Sequence, residues 1–275
     1  MGYSKPTEVS KSDLISRLLP THAPSYTVIP HRTVVDNTIS LLQNNGFTIT
    51  KEIYKGNNNC NVAQGIYQIQ SNQDSELGMM FAWTNSYDKS KRFQCAIGAY
   101  VFVCNNGMIR GDLANYSRKH TGTADLDVIN QISSQVKHAN QYFKQLIDDK
   151  ENLKTITLSQ KEQSELLGRL YAEKEILDVS QISIVKKEMN KPSYEYECDL
   201  NNAWTFYNHV THSLKESHPR DWMSDQQKFH TFMTAEVLTQ MGLHNSDMIN
   251  DIEIQAEELI IRETGHKQMS IFDYI

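Results

Sequence analysis

The stretch Phe93-Gln94-Cys95-Ala96-Ile97-Gly98-Ala99-Tyr100-Val101-Phe102-Val103 decides the fold of this chain. Neighbouring side chains on a strand point to opposite faces, so Phe93, Cys95, Ile97, Ala99, Val101 and Val103 share one face. Ala96, Gly98, Tyr100 and Phe102 lie on the other, and both faces are largely apolar. A strand that is apolar on both sides belongs in the middle of a sheet with a layer packed on each side.

Working outward towards the N-terminus, Leu77, Met79, Phe81 and Trp83 alternate as a third strand would. Phe47 to Tyr54 and Val62 to Gln70 read as a hairpin closed by the polar run Lys55-Gly56-Asn57-Asn58-Asn59. Residues 33–45 carry apolar positions at helical spacing, and Gly46 supplies the stop. Towards the C-terminus the period changes. Leu126, Ile129, Ile132, Val136, Ala139, Phe143 and Leu146 form one stripe at steps of three and four, which predicts a single long helix over 124–150. Ser159-Gln160-Lys161-Glu162 is a capping box opening a second helix. Asp199 is read as the cap of a third, carrying Trp204, Tyr207, Val210 and Leu214 on one face, and Gln227–Met241 as a fourth. A last helix is expected from Asp247 to Arg262, with Pro192 and Pro219 as breakers. The predicted class is α+β: an N-terminal antiparallel sheet of about four strands packed on a long helix, then a helical C-terminal half and a short free tail. The expected organisation is a mixed sheet region over 1–123, integrated with a helical region over 124–264 into one fold, and a tail over 265–275.

The formal net charge of −6 conceals an asymmetry. Residues 1–120 hold 12 Lys and Arg against 8 Asp and Glu, a balance of +4, while residues 121–275 hold 15 against 25, a balance of −10. A phosphate-facing surface is therefore expected in the first half, and the acidic second half suits packing, protein contacts or assembly into a homo-oligomer. No apolar run is long enough for a membrane span and no signal-peptide pattern is visible, so a soluble protein of the host cytoplasm is expected. Cys60, Cys95, Cys104 and Cys198 show no Cys-x-x-Cys spacing, which favours buried reduced thiols over zinc. No Walker loop, Gly-x-Ser-x-Gly or dinucleotide fingerprint appears, and no cofactor is expected.

Four blocks fall in order along the chain: Pro24-Ser25-Tyr26-Thr27-Val28-Ile29-Pro30, Asn85-Ser86-Tyr87-Asp88-x-Ser90, Gly98-x4-Val103-Cys104-Asn105-Asn106-Gly107 and Arg118-x-His120-Thr121-Gly122. Trp204-x2-Tyr207-Asn208-x2-Thr211 follows. Over about residues 24–215 this resembles the family known as domain of unknown function 932. The chain departs from the family pattern in having Tyr87 where His is common, and in a shorter, less charged first hairpin. The resemblance implies carriage on phages and plasmids, often beside anti-restriction and repair-like genes, and brings no established activity. It marks Asn85, Ser86, Asp88, Ser90, Cys104, Asn105, Asn106, Gly107, His120, Asn208 and Thr211 as motif residues. Asn85, Asp88 and Ser90 equally suit a turn held by side-chain hydrogen bonds to the local backbone.

The order helix, hairpin, two strands and long helix is similar, at fold level, to phage single-strand annealing proteins, whose DNA groove is a sheet on a long helix. On that reading Lys89, Lys91 and Arg92 meet phosphates from the loop between the third and fourth strands, and Arg110, Arg118 and Lys119 extend the track. Tyr87 or Tyr100 would stack on bases, favouring single-stranded DNA as partner. The last residues, Gln268-Met269-Ser270-Ile271-Phe272-Asp273-Tyr274-Ile275, resemble the pentapeptide that docks on a DNA polymerase sliding clamp. Ile271 and Phe272 would plug the clamp pocket, Gln268 would hydrogen-bond its rim, and Met269 fills the aliphatic position. Two alternatives stay open: a non-enzymatic protein that binds a host factor through its acidic half, and a nuclease in which Asp88, Asp112 and His120 hold a metal that activates water. His209 and His212 share one helical face but lack a third ligand at a recognisable offset.

Overall fold

Phe93–Val101 is a strand buried on both faces, at the heart of a seven-stranded antiparallel sheet. The structure, a computed structural model, describes residues 7–20, 26–57, 59–110 and 115–238. The strands are β1 (Thr7–Glu8), β2 (Ile49–Gly56), β3 (Val62–Ile69), β4 (Leu77–Ser86), β5 (Phe93–Val101), β6 (Gly107–Met108) and β7 (Asn115–Arg118). They pair in sequence order from β1 to β6, and β7 takes the remaining length of the β5 edge beside β6. The two hairpin strands and the two that follow thus form as the alternation predicts. Three short strands are added at the edges, each too brief to leave a period in the sequence. Phe102 and Val103 leave the strand and are half exposed, because the turn into β6 begins there.

On one face, Tyr67, Phe81 and Ile97 stand opposite one another across three strands, and Gly65, Trp83 and Cys95 make the adjacent row. A Cβ on Gly65 would collide with the Trp83 indole, so only glycine admits that ring. Helix α2 (His31–Asn44), which follows the short α1 (Lys11–Ile15), brings the His31 ring to 6.2 Å from Trp83 on this face. On the opposite face Met80, Ala82, Ala96 and Ile109 pack with Trp222 and Met223.

The long stripe folds as two helices, α3 (Ala124–Lys137) and α4 (Ala139–Lys154), broken at His138. The His138 ring Nδ1 donates to the Ser134 carbonyl at 2.9 Å, beside the backbone bond from His138 N to the same oxygen. A side chain competing for a helical carbonyl opens the ladder there. The apolar face is retained through the break, since Val128, Ile132, Val136, Phe143 and Leu146 are all buried. Leu126, at 60% exposure, and Ile129, half-buried, fall off the buried row, and Val128 takes the inward position there.

The capping box at Ser159 and Glu162 opens α5 (Gln160–Ala172) as read. A second box, Asp178 with Gln181, opens α6 (Val179–Asn190), a helix whose apolar pattern is too weak to stand out. In α7 (Ala203–Ser213) the cap is Asn202, whose Oδ1 accepts from Trp204 N at 2.8 Å, while Asp199 closes the preceding turn. Helix α8 (Trp222–Phe232) starts soon after the Pro219 breaker, earlier than the apolar positions from Gln227 suggest, and Met233–Leu238 is π-helical. The chain divides into two compact units, Met1–Met233 and Thr234–Ile275. The sheet and α1 to α8 all belong to the first. The expected helix over 247–262 and the tail over 265–275 lie outside the described residues.

One polar network ties the sheet to α4. Lys150, with a side chain 2% exposed, meets Asp74 Oδ2 at 2.6 Å, Glu151 Oε1 at 2.7 Å and Glu76 Oε2 at 3.3 Å. Lys154 joins Glu76 to Glu197, the latter at 2.8 Å. Burial pulls the Lys150 ammonium down, but these carboxylates outweigh it and hold its pKa above the usual lysine value. Asp74 is also capped by the backbone amides of Glu76 and Leu77, each at 2.8 Å, so the β3–β4 loop is fixed onto the helix.

Candidate functional site: a basic recess beside the 86–92 loop

The loop between β4 and β5 is built by the motif residues rather than left to solvent. Ser86 Oγ donates to Lys91 O at 2.8 Å and accepts from Lys91 N at 3.1 Å, which closes the loop. Asp88 Oδ1 accepts from Ser90 N at 3.0 Å, and Lys89 between them takes the left-handed backbone at φ 64°. Tyr87 N donates to Asn61 O and Tyr26 Oη to Ser86 O, at 2.6 and 3.0 Å. The loop is therefore anchored at both ends before any ligand arrives.

Behind it lies a buried aromatic wall. Asn85 Nδ2 donates to Ile29 O at 2.7 Å and sits 3.0 Å from His31 Nδ1, while His31 Nε2 lies 2.9 Å from Cys60 O. An amide donor at Nδ1 and a carbonyl acceptor at Nε2 specify the neutral imidazole with its proton on Nε2. Burial pushes the His31 pKa down to about 4, with the neighbouring His120 adding to the effect and the Cys60 carbonyl opposing it. Tyr87 stacks on His31 at 3.9 Å between centroids and accepts from His31 N at 2.7 Å.

A pH dependence of stability follows. The folded His31 titrates near 4 and the free side chain near 6.5, so its contribution is complete above about pH 6.5 and is lost as the pH falls through about 4. The shift corresponds to about 3 kcal/mol. His209, fully buried on α7 and likewise lowered to about 4 by burial, has the same sign, while Asp225, raised by burial to about 6, has the opposite one. Denaturant midpoints measured across this range are expected to rise more steeply with pH in the native chain than in His31→Gln; parallel curves would show that His31 does not carry the effect.

In front of the wall a recess of about 410 Å³ is lined by Tyr26, Lys89, Lys91, Arg92, Lys119 and His120, with Ser90 and Thr121 at its edge. Lys89 Nζ lies 4.9 Å from the centre of the Tyr26 ring, and Tyr26 stacks on His120 at 5.2 Å with the rings 3° from parallel. Burial, together with Asp88 and Tyr87, raises the Tyr26 phenol to about 12, so it stays protonated. Lys91 is partly neutralised by Asp221 at 3.4 Å, a carboxylate also held by Arg220 at 2.9 Å. Lys89, Arg92 and Lys119 meet no carboxylate among the described residues. The structure thus brings four of the expected cations together with His120, and adds Tyr26 and Thr121, which sit in the motif blocks without a charge to single them out.

Three expectations change. Arg110 is buried and paired with Asp149 at 3.3 Å, so it extends no phosphate track. Asp149 also meets His230 Nε2 at 3.1 Å, and Tyr207 Oη lies 3.1 Å from His230 Nδ1, which makes this a tie between α4, α7 and α8. Tyr87 is 7% exposed with both its ring face and hydroxyl occupied, and offers no surface to a base. Tyr100 packs on the α8 face, with its ring edge-on to Phe102. Arg118 is placed by its backbone, paired with Phe93 in β7.

The remaining motif residues form a second, buried cluster. Asn106 Nδ2 donates to Asn208 O and Oδ1 at 2.9 and 3.2 Å, and Cys104 Sγ lies 3.7 Å from Asn208 Oδ1. Asn105 adopts φ 55°, and a Cβ on Gly107 would lie 2.8 Å from the Trp222 ring. Thr211 Oγ1 donates to Tyr207 O at 3.0 Å, back along its own helix. These residues bind the β5–β6 turn to α7 and α8, a packing role that explains their identity. Asp112 lies outside the described residues. Among the described residues no group of three or more His, Cys, Asp and Glu is arranged to hold a metal, and no helix is long and apolar enough to cross a membrane. The four cysteines are free thiols.

A family model described as Domain of unknown function (DUF932) matches residues 19–240. No curated protein and no solved structure matches the chain.

Proposed function

We propose that this chain, which belongs to the family of Domain of unknown function (DUF932), binds single-stranded DNA through the basic recess and serves DNA replication or recombination of a mobile element. The observation that supports this reading is the recess itself: Lys89, Arg92 and Lys119, without carboxylate partners among the described residues, surround one concavity on a loop whose geometry is already fixed. Cations gathered around a recess attract phosphates, and a preorganised loop loses little entropy on binding them. They belong to the half of the chain with the positive balance.

Equilibrium binding of a labelled single-stranded oligonucleotide across a salt series tests the reading. Neutralising Z phosphates gives a slope of about −0.7Z in log K against log salt for a single strand, so three contacts predict a slope of about −2. No binding at low salt would refute it.

Docking on a DNA sliding clamp belongs to the same proposal and rests on sequence alone, since Gln268, Met269, Ile271 and Phe272 lie outside the described residues. A pull-down with the host clamp is expected to recover the chain and to lose it in the double substitution Gln268→Ala, Phe272→Ala. Equal recovery of both would show that the tail is not the docking element.

A further inference from the structure

One buried residue of the recess is its least explained. His120 is 6% exposed, and neither ring nitrogen has a hydrogen-bond partner among the described residues, although its carbonyl accepts from Thr27 N at 2.9 Å. A buried imidazole normally finds partners for both nitrogens, because leaving a polar atom unpaired costs about 1–3 kcal/mol. Its ring is held flat against Tyr26, over which Lys89 also sits. The unpaired nitrogens therefore belong to a recess whose charged lining groups are all cations.

We infer that this recess takes a phosphate monoester, whose terminal oxygens reach the His120 ring at the floor while Lys89, Arg92 and Lys119 neutralise its charge from the rim. The inference deepens the single-strand reading, since the phosphate of a strand end is such a monoester, and a free nucleoside monophosphate or inorganic phosphate shares its chemistry. A diester within a continuous strand suits the floor less well. It offers two unbridged oxygens where a monoester offers three, and it must carry chain away on both sides, whereas an end enters a recess alone. A monoester also has up to twice the charge, which suits a rim of three cations without carboxylate partners.

The groups that face His120 are Tyr26 across the stack, Lys89 beyond it, Lys119 and Thr121 next to it in sequence, and His31 behind the wall. Two carboxylates adjoin the recess: Asp88, close enough to act on Tyr26, and Asp221, paired with Lys91. Burial lowers the His120 pKa, so the ring is neutral at neutral pH. A neutral imidazole still donates one N–H to a phosphate oxygen, and an arriving anion favours its protonation.

The full chain, with ¹⁵N-labelled histidine, is titrated with deoxythymidine 5′-monophosphate and separately with inorganic phosphate, reading the His120 ring nitrogens. In parallel, oligothymidylates of about ten residues bearing either a 5′-phosphate or a 5′-hydroxyl are compared for affinity. The expected results are a shift of the His120 ring signals with both small ligands and about tenfold or more tighter binding of the phosphorylated strand, the size of one charged hydrogen bond. His120→Phe, which keeps the stack on Tyr26, should bring the ratio of the two strands to about one; His120→Gln, which restores a donor, should recover part of the ratio. Ring signals that do not move, together with equal affinities for the two strands, would overturn the inference while leaving the single-strand reading in place. Ring signals that move with monophosphate while neither strand binds would support the recess and refute the strand reading.

Discussion

Lys150→Ala is expected to destabilise the fold by about 3–5 kcal/mol, the cost of removing one partner from a buried charge network. The lysine side chain is almost wholly enclosed, and its loss would leave the buried Asp74 carboxylate without its ammonium partner, while Glu76 keeps Lys154. For a chain of this size the loss corresponds to a fall in Tm on the order of 10 °C. The penalty should depend on pH with a definite sign. Hydrogen bonds from Lys150 and the loop amides hold the folded Asp74 pKa below its usual value against the effect of burial, so its contribution is present above about pH 4 and is lost as the pH falls. Without Lys150 that contribution shrinks. The gap in stability between native and variant chains should therefore narrow on acidification, and a gap that stays constant from neutral to acid pH would show that the network is not electrostatic in origin.

The second large effect concerns the recess. The triple substitution Lys89→Ala, Arg92→Ala, Lys119→Ala is expected to lower single-strand affinity by about 10²-fold or more at low salt, as loss of three phosphate contacts would. The fold should be spared, because Arg92 and Lys119 are exposed and Lys89 lies on the loop surface. Lys161→Ala, Lys174→Ala, Lys186→Ala removes the same number of charges from α5, its C-terminal end and α6, at residues that do not line the recess. That control should leave binding within about twofold, since solvent screens charges beyond about 10 Å at ordinary salt. Equal losses in the two triples would mean that net charge, and not the recess, drives association.

The sheet was legible because its central strands are apolar on both faces, a pattern that few other environments require. The β4–β5 loop was legible for a related reason: Asn85, Ser86, Asp88 and Ser90 are residues whose side chains hydrogen-bond nearby backbone, and Ser86 and Asp88 do so in the structure, with Ser90 supplying the amide that Asp88 caps, while Asn85 reaches across to Ile29. What the sequence could not show is which way a polar side chain faces. Arg110 and Lys119 look alike as isolated cations, yet Asp149, distant in sequence, draws one into the core and nothing draws the other. Tyr87 looked like a stacking platform because aromatic residues near cations often are, but its partner His31 comes from the start of α2, far along the chain. The break at His138 was hidden because both helices keep the same face towards the sheet, so the apolar stripe runs across it without interruption. The recess itself joins Tyr26, the 86–92 loop and residues 119–121, three segments that only the antiparallel pairing of β5 with β4 and β7 brings side by side.

The central claim is that a strand of DNA is held by the cations of this recess, and the salt dependence of single-strand binding tests it most directly. The log–log slope should fall in magnitude by about 2 from the native chain to the Lys89, Arg92, Lys119 triple and stay unchanged in the α5–α6 control. An unchanged slope in the recess triple, or no binding by the native chain at low salt, would contradict it.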